Sequence, residues 1–169
     1  MIVPAALNHE GSPARPGLKF WLSAWLPVAV VIGVIGLEST VLLGSDHTSD
    51  PLRWLYETIF GSVTDARWEA IHHLMRKCGH FFGYGALGVM WLRAWWMTLS
   101  RSRFLSDALL ALLGTSLVAS LDEWHQGFLP NRTGSVWDVL LDCTGAIALL
   151  LTVYIFVRLL RPTRLSRTS

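Results

Sequence analysis

Charged side chains are nearly absent from four long stretches of this 169-residue chain. Each stretch holds a single Asp, Glu, Lys or Arg, and none shows the polar face that a helix of a soluble bundle presents to water. The stretches are 20–43, 81–99, 104–121 and 139–157. At 1.5 Å per helical residue, each is about long enough to cross a hydrocarbon core of ~30 Å. The scarcity of charge therefore predicts an all-α integral membrane bundle of four transmembrane helices.

Cysteine is also scarce, and the net charge is small. Cys78 and Cys143 form no C-x-x-C motif, and the histidines form no H-x-x-x-H motif. Each cysteine is therefore predicted to be a small buried residue rather than a disulfide partner. The formal net charge of +2 is too small to indicate a nucleic-acid partner. No clean cleavage site follows the first apolar stretch, which is predicted to be a retained helix rather than a signal peptide.

Basic residues mark one side of the predicted topology. They precede the first apolar stretch, occupy the turn between the second and third, and follow the fourth: Arg15, Lys19, Arg101, Arg103, Arg158, Arg161, Arg164 and Arg167. Lys and Arg near a membrane favour the cytoplasmic side. The protein is therefore predicted to be a multi-pass membrane protein with both termini in the cytoplasm. The opposite side, which holds most of the acidic residues, is predicted to face outward.

The predicted organisation is one membrane domain between two tails. Residues 1–19 are predicted to be a mobile cytoplasmic tail, 20–160 the membrane domain and 161–169 a basic cytoplasmic tail. The predicted transmembrane segments are about 20–43, 80–99, 104–122 and 137–158.

The first outer loop is predicted to contain one or two short amphipathic helices. Ser49-Asp50-Pro51 resembles a helix start, with a cap residue and proline in the first turn, and a second start follows Thr64. Two placements stay open for these helices: on the outer membrane surface, or packed across the mouth of the bundle. His72 and His73, further along this loop, are interpreted as solvated.

Polar residues gather at the outward ends of the predicted helices. Helical spacing places three of them on one face of the second transmembrane helix, three at the end of the third, one in the next loop and two at the start of the fourth. The predicted site residues are Lys77, His80, Tyr84, Asp122, Glu123, Gln126, Arg132, Asp138 and Asp142. Five of them, Lys77, His80, Glu123, Arg132 and Asp138, are predicted to gather at one outer pocket. Small residues at 79, 83, 85 and 88 and at 145–146 further predict close packing of the second and fourth transmembrane helices.

This set of side chains is compatible with three kinds of chemistry. Lys77 and Arg132 are suited to binding a phosphate or carboxylate. His80 with Glu123 or Asp122 is suited to acid–base chemistry, which makes His80 and Glu123 the catalytic candidates. The carboxylates with His80 or His125 are suited to a divalent cation, although their spacing alone supports it weakly and no cofactor is predicted. A purely structural role in pairing the helices stays equally open.

The order of the polar residues resembles the VanZ-like family of bacterial membrane proteins. The resemblance rests on Lys77-x-x-His80-x-x-x-Tyr84, Asp122-Glu123-x-x-Gln126, Pro130-x-Arg132, Asp138 and Gly145. The family often has Asn where this chain has Asp142, and Gly where it has Asn131. Membership implies a polytopic envelope protein of the bacterial cytoplasmic (inner) membrane. The family is named after a member associated with teicoplanin resistance, which does not imply that this chain confers resistance.

Three hypotheses for the function follow. In the first, the outward pocket binds an anionic group of an envelope lipid, a lipid-linked precursor or a glycopeptide. Lys77 and Arg132 then bind the anion, and the neighbouring acids orient these cations. In the second, the protein is a membrane enzyme acting on the same substrates, with His80 or Glu123 as base. In the third, it is a structural or accessory membrane subunit. The lipid bilayer is a predicted partner in each case.

Overall fold

The computed structural model describes residues 16–40, 45–99, 103–129 and 133–160. Within them all regular structure is α-helical, which confirms the predicted class. The helices are α1 (Leu18–Glu38), α2 (Ser45–Phe60), α3 (Asp65–Thr98), α4 (Phe104–Gln126) and α5 (Val136–Leu159). Most of the predicted tails, the basic turn at Arg101 and the loop containing Arg132 lie outside the described residues.

Three helices, α1, α4 and α5, are long and apolar enough to cross a membrane. They correspond to three of the four predicted transmembrane segments. Large apolar side chains remain exposed along them, among them Leu113 on α4 and Leu151 on α5. An apolar surface of this extent is unusual for a soluble monomer and suits contact with lipid.

The remaining predicted segment, 80–99, which is the second in chain order, forms the second half of α3. This half carries Arg93 together with several glycines and tryptophans, and α3 is not among the three helices that are apolar enough to span. The count of four transmembrane helices therefore stays a prediction. The three apolar helices support a membrane-type protein.

α3 is longer than the sequence pattern indicates. Its 34 residues extend over about 51 Å at 1.5 Å per residue, well beyond a hydrocarbon core of ~30 Å. The short helix predicted to start after Thr64 and the transmembrane segment predicted from residue 80 are one continuous element, since no proline interrupts 65–98. Among the described residues, α2 is thus the one separate helix of the first loop.

α2 folds back onto the first turns of α3. Trp68 Nε1 donates a hydrogen bond of 2.8 Å to Ser49 Oγ, and Arg53 forms an ion pair of 2.8 Å with Asp65. Gly61 adopts a φ of +88°, which L side chains rarely adopt, at the turn between the helices. These contacts hold α2 against the start of α3, and both placements, on the membrane surface and across the bundle's mouth, stay predictions.

α3 is the central helix, and its most extensive partner is α5, followed by α4 and α1. Glycines make the contact between α3 and α5 close. A Cβ added at Gly145 would lie 2.1 Å from the backbone oxygen of Phe81, and one added at Gly88 would lie 3.2 Å from Ala146 Cβ. At Gly79 and Gly83 nothing lies within 4 Å of an added Cβ, so these two predicted positions do not contribute. The close packing predicted for the two helices is confirmed at Gly85 and Gly88. It holds the first turns of α5 against the middle of α3, where the polar residues lie.

Candidate functional site

The site residues lie on three helices that meet at one end of the bundle. α3 contributes Lys77, His80 and Tyr84, the last turn of α4 contributes Asp122, Glu123 and Gln126, and the first turns of α5 contribute Asp138 and Asp142. Eight of the nine predicted site residues are described, and Arg132 lies outside the described residues. The structure shows the positions of these eight residues, and the roles assigned to them stay predictions.

Two polar contacts join α3 to α5 one helical turn apart. Lys77 Nζ forms an ion pair with Asp138 Oδ1, and His80 Nδ1 lies 3.2 Å from Asp142 Oδ1. The spacing of i and i+3 on α3 matches the spacing of i and i+4 on α5, because both place successive residues on one helix face. Because the two helices approach closely at Gly145, the side chains of each pair can reach each other.

A second set of contacts joins α3 to α4 through one carboxylate. Tyr84 donates its hydroxyl proton to Asp122 Oδ2 at 3.0 Å, and Gln126 Nε2 donates to the same oxygen at 2.9 Å. Tyr84 is only 1% exposed, and the His80 ring stacks on it with ring centroids 5.9 Å apart. The orientation of the His80 imidazole is thus set by Tyr84 on one side and by Asp142 on the other.

Glu123 ties the end of α4 to the loop that leads into α5. Its Oε2 accepts a hydrogen bond of 2.7 Å from the backbone N–H of Ser135. Beside this contact, a Cβ added at Gly134 would lie 2.2 Å from the Glu123 backbone oxygen, so only glycine allows the loop to approach so closely. Glu123 is buried by this arrangement.

A pocket of about 200 Å³ opens among these residues. Its lining is His73, Arg76, Lys77, His80, Glu123, Gln126, Thr133 and Asp138. Four of the five residues predicted to converge on one pocket, namely Lys77, His80, Glu123 and Asp138, therefore line it together. The fifth, Arg132, lies outside the described residues.

Sequence reasoning missed Arg76, Thr133 and the contribution of His73. Positions 73, 77, 80 and 84 share one face of a helix, and this periodicity was the signal that should have added His73 to the site. A neighbouring pocket of about 310 Å³ shares Arg76 and His80 and is also lined by Glu38 of α1. All four long helices thus contribute polar side chains at this end.

Two minor predictions are wrong. His72 was expected to be solvated, but it is buried and stacks on Trp68 with ring centroids 5.7 Å apart. Burial and the nearby Arg76 lower the pKa of His72. Both cysteines were expected to be buried, but Cys143 is half-buried and Cys78 is exposed, because Cys78 lies on a face of α3 that no described helix covers. Both cysteines are free thiols, as expected.

Three side chains from three helices bring metal-ligating atoms close together. His80, Glu123 and Asp142 each offer one such atom, and these atoms lie within 4.8 Å of one another. An imidazole and two carboxylates form a ligand set that suits divalent cations. The arrangement also suits acid–base chemistry, since the imidazole contacts one carboxylate and lies close to another.

The apolar helices and the polar pocket at one end of them define an α-helical membrane protein. Over residues 24–158 the chain matches the sequence model of the VanZ/LLP1 family, and it belongs to that family. The match spans every described site residue and confirms the resemblance drawn from the polar motifs. No curated protein and no solved structure matches the chain significantly.

Proposed function

We propose that the pocket between α3, α4 and α5 faces outward and binds the anionic headgroup of an envelope lipid or lipid-linked precursor. The observation that carries this proposal is the pocket lining, in which Arg76 and Lys77 lie beside two histidines. Phosphate and carboxylate groups bind such clusters through charge-assisted hydrogen bonds. Arg132, in the loop between α4 and α5, adds a planar guanidinium that suits two oxygens of one anion.

Charge is layered within the pocket in a way that suits a headgroup. His73 and Thr133 are exposed and Arg76 and Lys77 are half-buried, whereas Glu123 is buried. Cations near the opening attract an anion, and acids beneath them hold the cationic side chains in place. Asp138 already does so for Lys77 through their ion pair. An anion that enters the pocket would replace its water molecules with hydrogen-bond donors that are already held in position. Binding then costs less conformational entropy than it would with mobile side chains.

The volume of the pocket favours a headgroup over a whole glycopeptide. Sites for drug-sized ligands typically measure ~300–1,000 Å³, and this pocket measures about 200 Å³. A phosphate-bearing group therefore suits the space, while the remainder of a lipid would lie along the apolar helices. Of the ligands considered from the sequence, the lipid or lipid-linked precursor is thus the better match.

An enzymatic function on the same substrates is the second candidate. It is supported by the contact between His80 and Asp142 and by the proximity of Glu123 to both. An imidazole oriented by a carboxylate is a common general base.

The structural hypothesis has support of its own, because Lys77 with Asp138 and Tyr84 with Asp122 form mutual pairs. The open pocket in front of these pairs is what favours ligand binding.

Replacing Arg132 by lysine tests the proposed function. Lysine keeps the charge and loses the planar fork that contacts two oxygens together. We expect Arg132→Lys to shift the profile of envelope lipids and cell-wall precursors towards that of cells lacking the protein, with its level in the membrane unchanged. The measurement is untargeted profiling of these molecules together with quantification of the protein in membranes.

Arg67→Lys is the matched control, because Arg67 is an exposed arginine of α3 that does not line the pocket. It should leave both the profile and the protein level as in the wild type. A profile that changes only in proportion to lost protein would favour the structural hypothesis. An Arg132→Lys profile equal to that of the wild type would contradict the role proposed for the guanidinium.

A further inference from the structure

From the convergence of His80, Glu123 and Asp142 we infer that this protein binds one divalent cation at the base of the pocket. The three residues belong to α3, α4 and α5, and their ligand atoms lie within 4.8 Å of one another. The inference concerns an inorganic ion and does not depend on the headgroup proposed above. It goes beyond the sequence pattern, which contains no spaced metal motif.

Distances between the ligand atoms fit a shared ion. Two ligands at about 2.1 Å from one metal ion, at tetrahedral or octahedral angles, are separated by about 3.0–3.4 Å. His80 Nδ1 and Asp142 Oδ1 are separated by 3.2 Å. Glu123 offers a ligand atom within 4.8 Å of the other two, and its side chain moves closer when the ion binds.

Two buried carboxylate oxygens provide a second, independent observation. Glu123 is 5% exposed and Asp142 is 0% exposed. One oxygen of each, Glu123 Oε1 and Asp142 Oδ2, has no hydrogen-bond partner among the residues that the structure describes. An unpaired buried charge is costly, and buried carboxylates therefore pair or coordinate a metal ion. Both oxygens belong to residues of the convergent set.

The surrounding charge also favours a cation. Around the three ligands, the described residues contribute four carboxylates, from Asp122, Glu123, Asp138 and Asp142, and two permanent cations, from Arg76 and Lys77. Lys77 pairs with Asp138. A divalent ion therefore enters a region with an excess of negative charge, which offsets part of its desolvation.

The ligand set indicates the class of ion. Carboxylates favour Mg²⁺ and Mn²⁺, imidazole favours Zn²⁺, and the mixed set of one imidazole and two carboxylates suits Zn²⁺ or Mn²⁺. Three protein ligands leave at least one coordination position open, as in catalytic zinc sites. His80 and Glu123 also line the pocket, so that position faces the space where a ligand would enter.

Metal binding by the purified full chain tests this inference. The protein, without a polyhistidine tag and treated with a chelator, is titrated with Zn²⁺ alone and with Mn²⁺ alone, and bound metal is measured calorimetrically and by mass spectrometry of the elements. We expect one ion per chain and a rise in the unfolding temperature, because an ion that binds only the folded state stabilises it. Glu123→Gln and Asp142→Asn should each weaken binding about ten-fold or more.

Glu69→Gln is the matched control, since Glu69 is exposed and lies outside the convergent set. It should leave the affinity unchanged. Each variant is first checked for an unchanged elution volume, and His80→Gln provides a third ligand variant if another fails to fold. A wild type that binds neither ion, or one whose affinity survives Asp142→Asn, would overturn the inference and leave the buried oxygens to be paired by protein groups.

Discussion

Gly145→Ala is expected to destabilise the folded protein severely. The added Cβ would lie 2.1 Å from the Phe81 backbone oxygen and 2.9 Å from its carbonyl carbon. These are backbone atoms of α3, so no side-chain rotation relieves the contact and α3 and α5 have to separate. Overpacking of a core typically costs ~1–3 kcal/mol, and more where the backbone has to move. Thermal unfolding in detergent, followed by size-exclusion chromatography, measures the effect.

The same separation should damage the site. Phe81 follows His80 directly, and Asp142 lies one turn before Gly145 on α5. Moving the two helices apart therefore lengthens the 3.2 Å contact between His80 and Asp142. Gly33→Ala in α1 is the matched control, because nothing lies within 4 Å of the position of its added Cβ. If the two variants unfolded at the same temperature, the close packing of α3 and α5 would not be what holds the bundle together.

Breaking the Lys77–Asp138 pair is expected to have the second-largest effect. The two side chains are 35% and 26% exposed, so the cost should lie between the ~1 kcal/mol limit for exposed pairs and the ~3–5 kcal/mol of a fully buried one. Lys77→Ala and Asp138→Ala should each lower the unfolding temperature. The double exchange Lys77→Asp with Asp138→Lys should restore part of the stability, since it restores the pair.

Ligand binding should respond differently to the same exchange. If Lys77 contacts an anion as proposed, an aspartate at position 77 repels the anion even where the folded protein is recovered. Stability regained without the wild-type envelope profile is therefore the expected result. Recovery of both together would indicate that the pair has only a structural role, which is the hypothesis of an accessory subunit.

Much of the fold follows from composition and helical spacing. Long stretches without charge identify α1, α4 and α5, because lipid excludes charged side chains. Small residues at 79, 83, 85 and 88 and at 145–146 identify the closest helix pair, although of the four positions on α3 only 85 and 88 lie against α5. The i, i+3 and i, i+7 spacing of Lys77, His80 and Tyr84 identifies the polar face of α3. In each case the feature depends on residues near in sequence, which a single sequence displays directly.

Other features depend on contacts between distant residues, which no single stretch of sequence displays. The continuity of α3 was missed because polar residues separate the short helix predicted after Thr64 from the apolar stretch that follows, although no proline interrupts 65–98 and the chain stays helical. The pairing of Lys77 with Asp138 rather than with another acid depends on the register of α3 against α5. That register is set by the close approach of Gly145 to the Phe81 backbone, a three-dimensional property.

The position of Glu123 shows the same limit at the site itself. Its sequence neighbours predict only that it ends α4 beside Asp122. Its burial arises from the Ser135 N–H, which donates to it at 2.7 Å, and from the loop at Gly134 that crosses its backbone. The approach of Glu123 to His80 and Asp142 follows from these contacts, and for that reason spacing alone supported a cation site only weakly.

Selective retention of an anionic lipid by the purified protein tests the central claim most directly. The protein is reconstituted in nanodiscs containing equal amounts of phosphatidylglycerol and phosphatidylcholine, and retained lipids are counted by native mass spectrometry after release. We expect a preference for the anionic lipid of about ten-fold, which corresponds to ~1.4 kcal/mol, falling towards none in Arg132→Ala and persisting in Arg67→Ala. A preference that Arg132→Ala leaves intact would contradict the role proposed for the guanidinium, and equal retention of the two lipids would contradict an anion-binding pocket.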